Sequence, residues 1–159
     1  MTLPMDFRFA AESARIGYVF GRLGIVPEAC STWFLPRIVG MTEALRLCYS
    51  AQILNAQEAL DLRLVSAVVP DAKLVTEARA FARSLVAKRS PVSVALIRQM
   101  MWRNSAAGHP ADAHRVDSLA MFYTSVGDGK EGVAAFRAKR DPRFEGKASQ
   151  MPAFYPWWQ

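Results

Sequence analysis

Leu23-Gly24-Ile25-Val26-Pro27-Glu28-Ala29-Cys30-Ser31-Thr32-Trp33-Phe34-Leu35-Pro36-Arg37-Ile38-Val39-Gly40 is a loop that turns into an apolar helix. Gly21, Gly24 and Pro27 punctuate residues 21–27, so that stretch reads as mostly loop. The helix starts near Glu28 and runs through Trp33 and Phe34 towards Val39. Gly40 ends it, since glycine takes the left-handed conformation of a helix end without a side-chain clash. The turn leaves one carboxylate, Glu28, at the head of an apolar element.

Working outward, residues 6–10 alternate around Phe7, Arg8 and Phe9 and read as a strand, with residues 14–17 as a second short one. Downstream, a helix covers residues 42–49. Asn55 followed by Glu58 makes a capping box, and the short helix it opens ends near Leu62. Residues 64–69 read as a buried strand closed by Pro70. From Asp71 the pattern turns helical, with Leu74, Ala78, Phe81, Ala82 and Leu85 on one face. Ser90-Pro91 opens the next helix as an N-cap with proline at the first helical position. That helix carries Val94, Ile97, Met100 and Met101, and the two methionines read as core packing. Gly108-His109-Pro110 breaks the chain before a helix over residues 111–123. Asp128 with Glu131 reads as a second capping box, and the last helix runs to about Lys139. Residues 151–159 hold Phe154, Tyr155, Trp157 and Trp158 between prolines; they read as extended, and their rings must be buried on something. A little β is thus followed by much α. The first third has too few strands to close a sheet, so further strands are expected upstream or from another chain.

A chain of 159 residues suggests one domain. At 52% hydrophobic and 21% charged it fits a folded chain and not a disordered one. No apolar run approaches the roughly 20 residues of a membrane span, and the start lacks the basic and apolar regions of a signal peptide. Cys30 and Cys48 cannot form a disulfide framework and sit in no metal-binding spacing. They read as reduced core residues of a cytoplasmic protein, with no metal expected. His109 and His114 lack partners at ligand spacing and read as loop and surface positions. The net charge of +6, concentrated in Arg137, Lys139, Arg140, Arg143 and Lys147, attracts polyanions or simply solvates helix faces. No helix-turn-helix or aromatic-basic platform supports nucleic acid.

Several stretches, in order, resemble the crotonase (enoyl-CoA hydratase/isomerase) superfamily. They are Asp6-Phe7-Arg8-Phe9-Ala10, Ala14-Arg15-Ile16-Gly17, Leu23-Gly24-Ile25-Val26-Pro27-Glu28 and Leu35-Pro36-Arg37-Ile38-Val39-Gly40. Asn55-Ala56-Gln57-Glu58-Ala59-Leu60, Leu64-Val65-Ser66, Lys130-Glu131-Gly132-Val133-Ala134-Ala135-Phe136 and Lys139-Arg140 continue the series. The similarity runs from residue 1 to about Phe144. It implies an α/β crotonase (ClpP-like) fold, here a remnant of the ββα spiral followed by a mostly α trimerisation region. Residues 1–70 would be the C-terminal part of the spiral, residues 71–145 the helical oligomerisation region and residues 146–159 an aromatic tail, with Trp157 and Trp158 sealing a subunit interface. The partners implied are an acyl-CoA thioester and further copies, as a homotrimer or homohexamer. No cofactor is expected beyond the coenzyme A of the thioester, and no nucleic acid or membrane. The family's oxyanion hole would lie upstream of Met1, so the 159 residues alone are expected to show little or no turnover.

Hydratases of this superfamily use two glutamates. One would fall just before Met1, and the other aligns with Phe20, whose ring cannot move a proton. Glu28, in Pro-Glu after Leu-Gly, matches the catalytic glutamate of peroxisomal-type Δ3,Δ2-enoyl-CoA isomerases. Read from the residues alone, a glutamate in a first helical turn also complements the helix dipole, and both readings stand. Phe20 and Trp33 are candidate apolar neighbours of the acyl group. The resemblance sets Phe136 and Lys139 against the CoA adenine and 3′-phosphate; the alternatives are a core phenylalanine and a solvated lysine. The reaction expected is double-bond isomerisation by one carboxylate through an enolate, with hydration or an inactive oligomerisation module as alternatives. Two departures stand out: Ser50-Ala51 replaces a usual Thr-Gly, and Arg63 replaces a usual Gly. A positive φ at position 63 would strain arginine by roughly 1 kcal/mol.

Overall fold

Two short strand pairs organise the first of two units into which the chain divides, the break falling between Phe81 and Ala82. The structure is a computed structural model that describes residues 2–150. β1 (Phe9–Ala11) lies parallel to β4 (Ala67–Val69), with Phe9 opposite Ala67, and β2 (Arg15–Gly17) lies antiparallel to β3 (Ile53–Asn55). The strands are shorter than residues 6–10 and 64–69 suggest. Leu64 and Val65 are buried, but their N–H groups both donate to the Ala59 carbonyl and close a helix instead of joining the ladder. Arg8 takes up the slack on the other side. Its guanidinium donates to the carbonyls of Leu64 (2.6 Å) and Met5 (2.7 Å). Phe7 and Phe9 stack on Phe81, with ring centroids 5.0 and 5.2 Å away.

This unit also holds the helices α1 (Phe20–Leu23), α2 (Ser31–Val39), α3 (Met41–Ser50) and α4 (Ala56–Asp61). Leu35, Leu47 and Leu54 are its fully buried anchors, each worth about 1.5–3 kcal/mol of burial. The capping box is present as read: Glu58 N–H donates to Asn55 Oδ1 at 2.9 Å and Asn55 N–H to Glu58 Oε2 at 2.7 Å. α1 falls in the stretch read as loop. It packs so closely on α3 that a Cβ on Gly21 would stand 3.1 Å from the Cys48 carbonyl oxygen.

A 3₁₀ turn over Asp71–Lys73 leads into α5 (Leu74–Val86), which carries the chain from the first unit into the second. On its apolar face Leu74, Ala78 and Phe81 are half-buried, while Ala82 and Leu85 are exposed. The second unit adds α6 (Pro91–Asn104), α7 (Pro110–Val126) and α8 (Asp128–Arg137). Ser90 caps α6 through Ser93 N–H, with Pro91 at the first position as read. His109 caps α7, its Nδ1 accepting from Ala111 N–H at 3.1 Å. Val92, Leu96 and Ala120 form the small core, with Met100, Val116 and Tyr123 packed against it.

Three expectations fail here. Met101 is 71% exposed, not core: the small core of this unit is built on Val92, Leu96 and Ala120, with Met100 but not Met101 packed against it. Asp128 is not the cap of a capping box but the first residue of α8. Its carboxylate accepts from Ser90 Oγ at 2.6 Å and Gly146 N–H at 3.1 Å. Cys30 is exposed and only Cys48 is half-buried. Among the described residues, no helix is long and apolar enough to cross a membrane. The tail with Phe154, Tyr155, Trp157 and Trp158 lies outside the described residues.

Candidate active site

Glu28 sits in a loop whose two ends are both fixed. At the upstream end Gly24 takes φ +70° and closes α1, its N–H donating to the Gly21 carbonyl, while Ile25 N–H reaches the Phe20 carbonyl. Ile25 and Val26 are 56% and 79% exposed. At the downstream end Ser31, the first residue of α2 and itself buried, donates to the Glu28 carbonyl from its backbone N–H (3.0 Å) and from its hydroxyl. Between them Ala29 and Cys30 both take left-handed backbone conformations, at φ 51° and 58°. Each costs roughly 1–2 kcal/mol for a residue with a Cβ, and such strain persists only where the surroundings hold it.

The helix therefore begins three residues later than the sequence reading puts it, and Glu28 lies before it, exposed. The dipole account, which required Glu28 in the first turn, does not apply. The signal that marks the true start is Ser31, a helix-start residue type directly ahead of the apolar run. The paired left-handed residues carry no such signal, because alanine and cysteine are not turn formers.

Phe20 opens α1, half-buried against the core of the first unit. Trp33 is half-buried on α2, edge-on to Phe34 with centroids 4.8 Å apart. The Arg37 guanidinium lies 3.7 Å over the Trp33 ring and donates to the Trp33 carbonyl at 2.9 Å. Glu28, Phe20 and Trp33 thus belong to one continuous segment of the first unit, α1–loop–α2. The same segment carries two exposed apolar residues that the sequence does not single out as site residues, Ile25 and Val26.

Phe136 and Lys139 stand at the end of α8 in the second unit. Phe136 is 85% exposed, so it is not a core residue. Lys139 is exposed at φ 51°, its N–H donating to the Phe136 carbonyl. Beside them Arg140 grips Glu131 with two parallel bonds of 2.6 and 2.9 Å, and Arg143 N–H adds a third at 2.7 Å. This arrangement holds the Glu131 carboxyl down at about 2, mainly through the Arg140 hydrogen bonds and then the Arg143 N–H. An exposed ring and an exposed cation, on a terminus braced by that ion pair, can stack on a planar base and meet a phosphate.

The family described as enoyl-CoA hydratase/isomerase matches residues 1–147 of the chain. The chain is 38% identical over 148 residues to the enoyl-CoA hydratase ACTT3 of Alternaria alternata, covering 91% of this chain and 49% of that protein. It is 35% identical over 150 residues to the 1,2-epoxyphenylacetyl-CoA isomerase of Escherichia coli K12, covering 92% and 56%. The crystal structure of an enoyl-CoA hydratase from Bacillus anthracis superposes with a TM-score of 0.83 at 33% identity, over 92% of this chain and 56% of that one. The chain spans about half the length of the curated relatives it matches.

Proposed function

Because the chain belongs to the enoyl-CoA hydratase/isomerase family and has its α/β crotonase-type fold, we propose that it acts on acyl-CoA thioesters as a double-bond isomerase, with Glu28 as the single proton carrier. The observation that carries this reading is the setting of Glu28. It is an exposed carboxylate in a loop tied at both ends, beside Ile25 and Val26, which are exposed and apolar. Strained, tied loops are where a carboxylate is held for use.

A 3-enoyl thioester is acidic at C2. Glu28 removes a C2 proton, and the electron pair moves onto the thioester carbonyl as an enolate. The resulting carboxylic acid returns a proton at C4, and the double bond shifts to C2–C3. One carboxylate within reach of both carbons suffices. The enolate oxygen needs preorganised donors, worth several kcal/mol.

Hydration is the second reading, supported by the name of the Alternaria relative. It calls for a second carboxylate, and the position aligned with that group holds Phe20, half-buried in apolar surroundings. In the same proposal, Phe136 and Lys139 meet the adenine and 3′-phosphate of a coenzyme A whose thioester is held by a neighbouring copy. Copies of the chain associate as a homotrimer or homohexamer through apolar helix faces such as Leu119, Phe122 and Val126, which are 50%, 70% and 51% exposed. The free thiols fit a reducing compartment, and the reading places the protein in the cytoplasm.

The test is Glu28→Gln in the protein purified from its source, assayed on 3-enoyl-CoA. Loss of a general acid–base group lowers kcat by about 10²–10⁴-fold. An unchanged kcat would remove Glu28 from the mechanism. Formation of 3-hydroxyacyl-CoA from 2-enoyl-CoA at a comparable rate would favour hydration.

A further inference from the structure

We propose that Glu131 and Arg140 are positioning residues for coenzyme A: their ion pair fixes the turn after α8 so that Lys139 presents its ammonium to the 3′-phosphate. This role rests on the proposed contact of Lys139 with that phosphate. It adds how a flexible side chain on an exposed helix end comes to be aimed.

The backbone turns back at Lys139. Its N–H donates to the Phe136 carbonyl at 3.2 Å, and Arg140 N–H donates to the Ala135 carbonyl at 3.1 Å. These two bonds close a helix around one left-handed residue, here Lys139 at φ 51°, a place that glycine fills most readily. The lysine Cβ works against such a turn, so the turn needs a hold from outside. Residues 140–146 supply it by running back along α8. Arg140 donates to both oxygens of Glu131, at 2.6 and 2.9 Å, and Arg143 N–H donates to the same carboxylate at 2.7 Å. The Phe144 ring lies beside Gly132, 3.7 Å from where a Cβ would stand. Gly146 N–H reaches Asp128 Oδ1 at 3.1 Å. One carboxylate on the outgoing limb, Glu131, thus holds the returning limb at two points.

The nearby acids are also kept from the cation. Arg140 engages both oxygens of Glu131, and Lys88 Nζ pairs with Asp141 Oδ2 at 2.8 Å. Among the described residues no ion pair takes up Lys139, so its ammonium stays available to an anionic ligand. Lysine is a point charge on a flexible stem, and ordering that stem on a ligand costs affinity. Fixing its backbone before the ligand arrives removes part of that cost.

The test measures Kd for coenzyme A and for dephospho-coenzyme A, which lacks the 3′-phosphate, by titration calorimetry on the protein purified from its source. The ratio of the two reads the phosphate contact alone. An exposed ammonium–phosphate pair is expected to favour coenzyme A by about fivefold. Two variants separate aiming from charge. Glu131→Gln removes a negative charge near the phosphate, so simple attraction would raise the preference. Arg140→Lys keeps the positive charge and loses the two-pronged bond, so simple attraction would leave the preference as it is. Loss of the hold lowers it in both, to below about twofold, with Kd for dephospho-coenzyme A within about twofold of wild type. A preference kept or raised in Glu131→Gln, or kept in Arg140→Lys, would overturn the proposal. Equal weakening of both ligands would do the same, since it assigns the pair to folding alone. Lys139→Ala tells the two possible failures apart. If it leaves the preference intact, the proposed contact of Lys139 with coenzyme A falls and takes the positioning role with it. If it abolishes the preference while Glu131→Gln and Arg140→Lys retain it, the positioning role alone falls.

Discussion

At the scale of single residues, the two departures from the superfamily pattern fall where backbone geometry makes them matter. Arg63 has φ 58° and Ala51 φ 51°. Both occupy left-handed positions, where the resemblance to the superfamily leads us to expect glycine, and the condition raised for position 63, a positive φ, is met. The expected consequences differ. Arg63 is exposed and buries little, so Arg63→Gly should raise the stability of the first unit by about 0.5–1 kcal/mol in urea titration, the relief of its steric cost. Ala51 is buried, and removing its methyl forfeits about 0.8 kcal/mol, so Ala51→Gly should be near neutral. Glu131 is the residue with a pH signature. Its folded value of about 2 lies below the ordinary glutamate value of about 4.3. A depressed carboxyl contributes stability that is present above the unfolded value and lost as pH falls through the folded one. The unfolding midpoint of the wild-type chain should therefore drop between about pH 4.3 and pH 2 more steeply than that of Glu131→Gln. Parallel curves would contradict the role of the Arg140 grip.

At the scale of elements, local signals were legible and long-range ones were not. The capping box at Asn55, the Ser90-Pro91 start and the break at Gly108-His109-Pro110 lie within a few residues of the groups they satisfy, and each appears in the structure as read. The expectation of a local cap at Asp128 fails because its partners, Ser90 and Gly146, lie 38 and 18 residues away. The start of α2 was misplaced because two left-handed residues, Ala29 and Cys30, intervene after Glu28, and neither residue type advertises that conformation. α1 has no sequence signature, because four residues give no helical period. Asp128 is the clearest element-scale test. It ties the first turns of α6 and α8 to the chain at Gly146 through two part-buried hydrogen bonds, so Asp128→Ala should destabilise the second unit by about 1 kcal/mol or more, the usual cost of leaving such donors unpaired. A midpoint shift below about 0.3 kcal/mol would show that water replaces the carboxylate without loss.

At the scale of the whole molecule, residues 2–150 carry two strand pairs and a set of helices, some of which expose large apolar residues such as Leu119, Phe122 and Val126. Pairs of three-residue strands are marginal by themselves, and the first unit rests instead on Leu35, Leu47 and Leu54 packed between helices. The family and its fold were legible in the order of short motifs, none of which is decisive alone. The exposure of Phe136 was not, because a phenylalanine directly after Val133, Ala134 and Ala135 looks like core in the sequence. Sedimentation velocity addresses the apolar helix faces: a trimer or hexamer is expected, and a monomer at micromolar concentration would leave Leu119, Phe122 and Val126 without the role proposed for them. The central claim, that Glu28 carries the proton, is tested most directly by isotope exchange. The protein from its source is incubated with 3-enoyl-CoA in deuterium oxide, and deuterium at C2 and C4 is read by NMR. Label should enter at both carbons with Glu28 present and at neither with Glu28→Gln, while thioester binding is retained. Undiminished labelling by the Glu28→Gln protein would contradict the account.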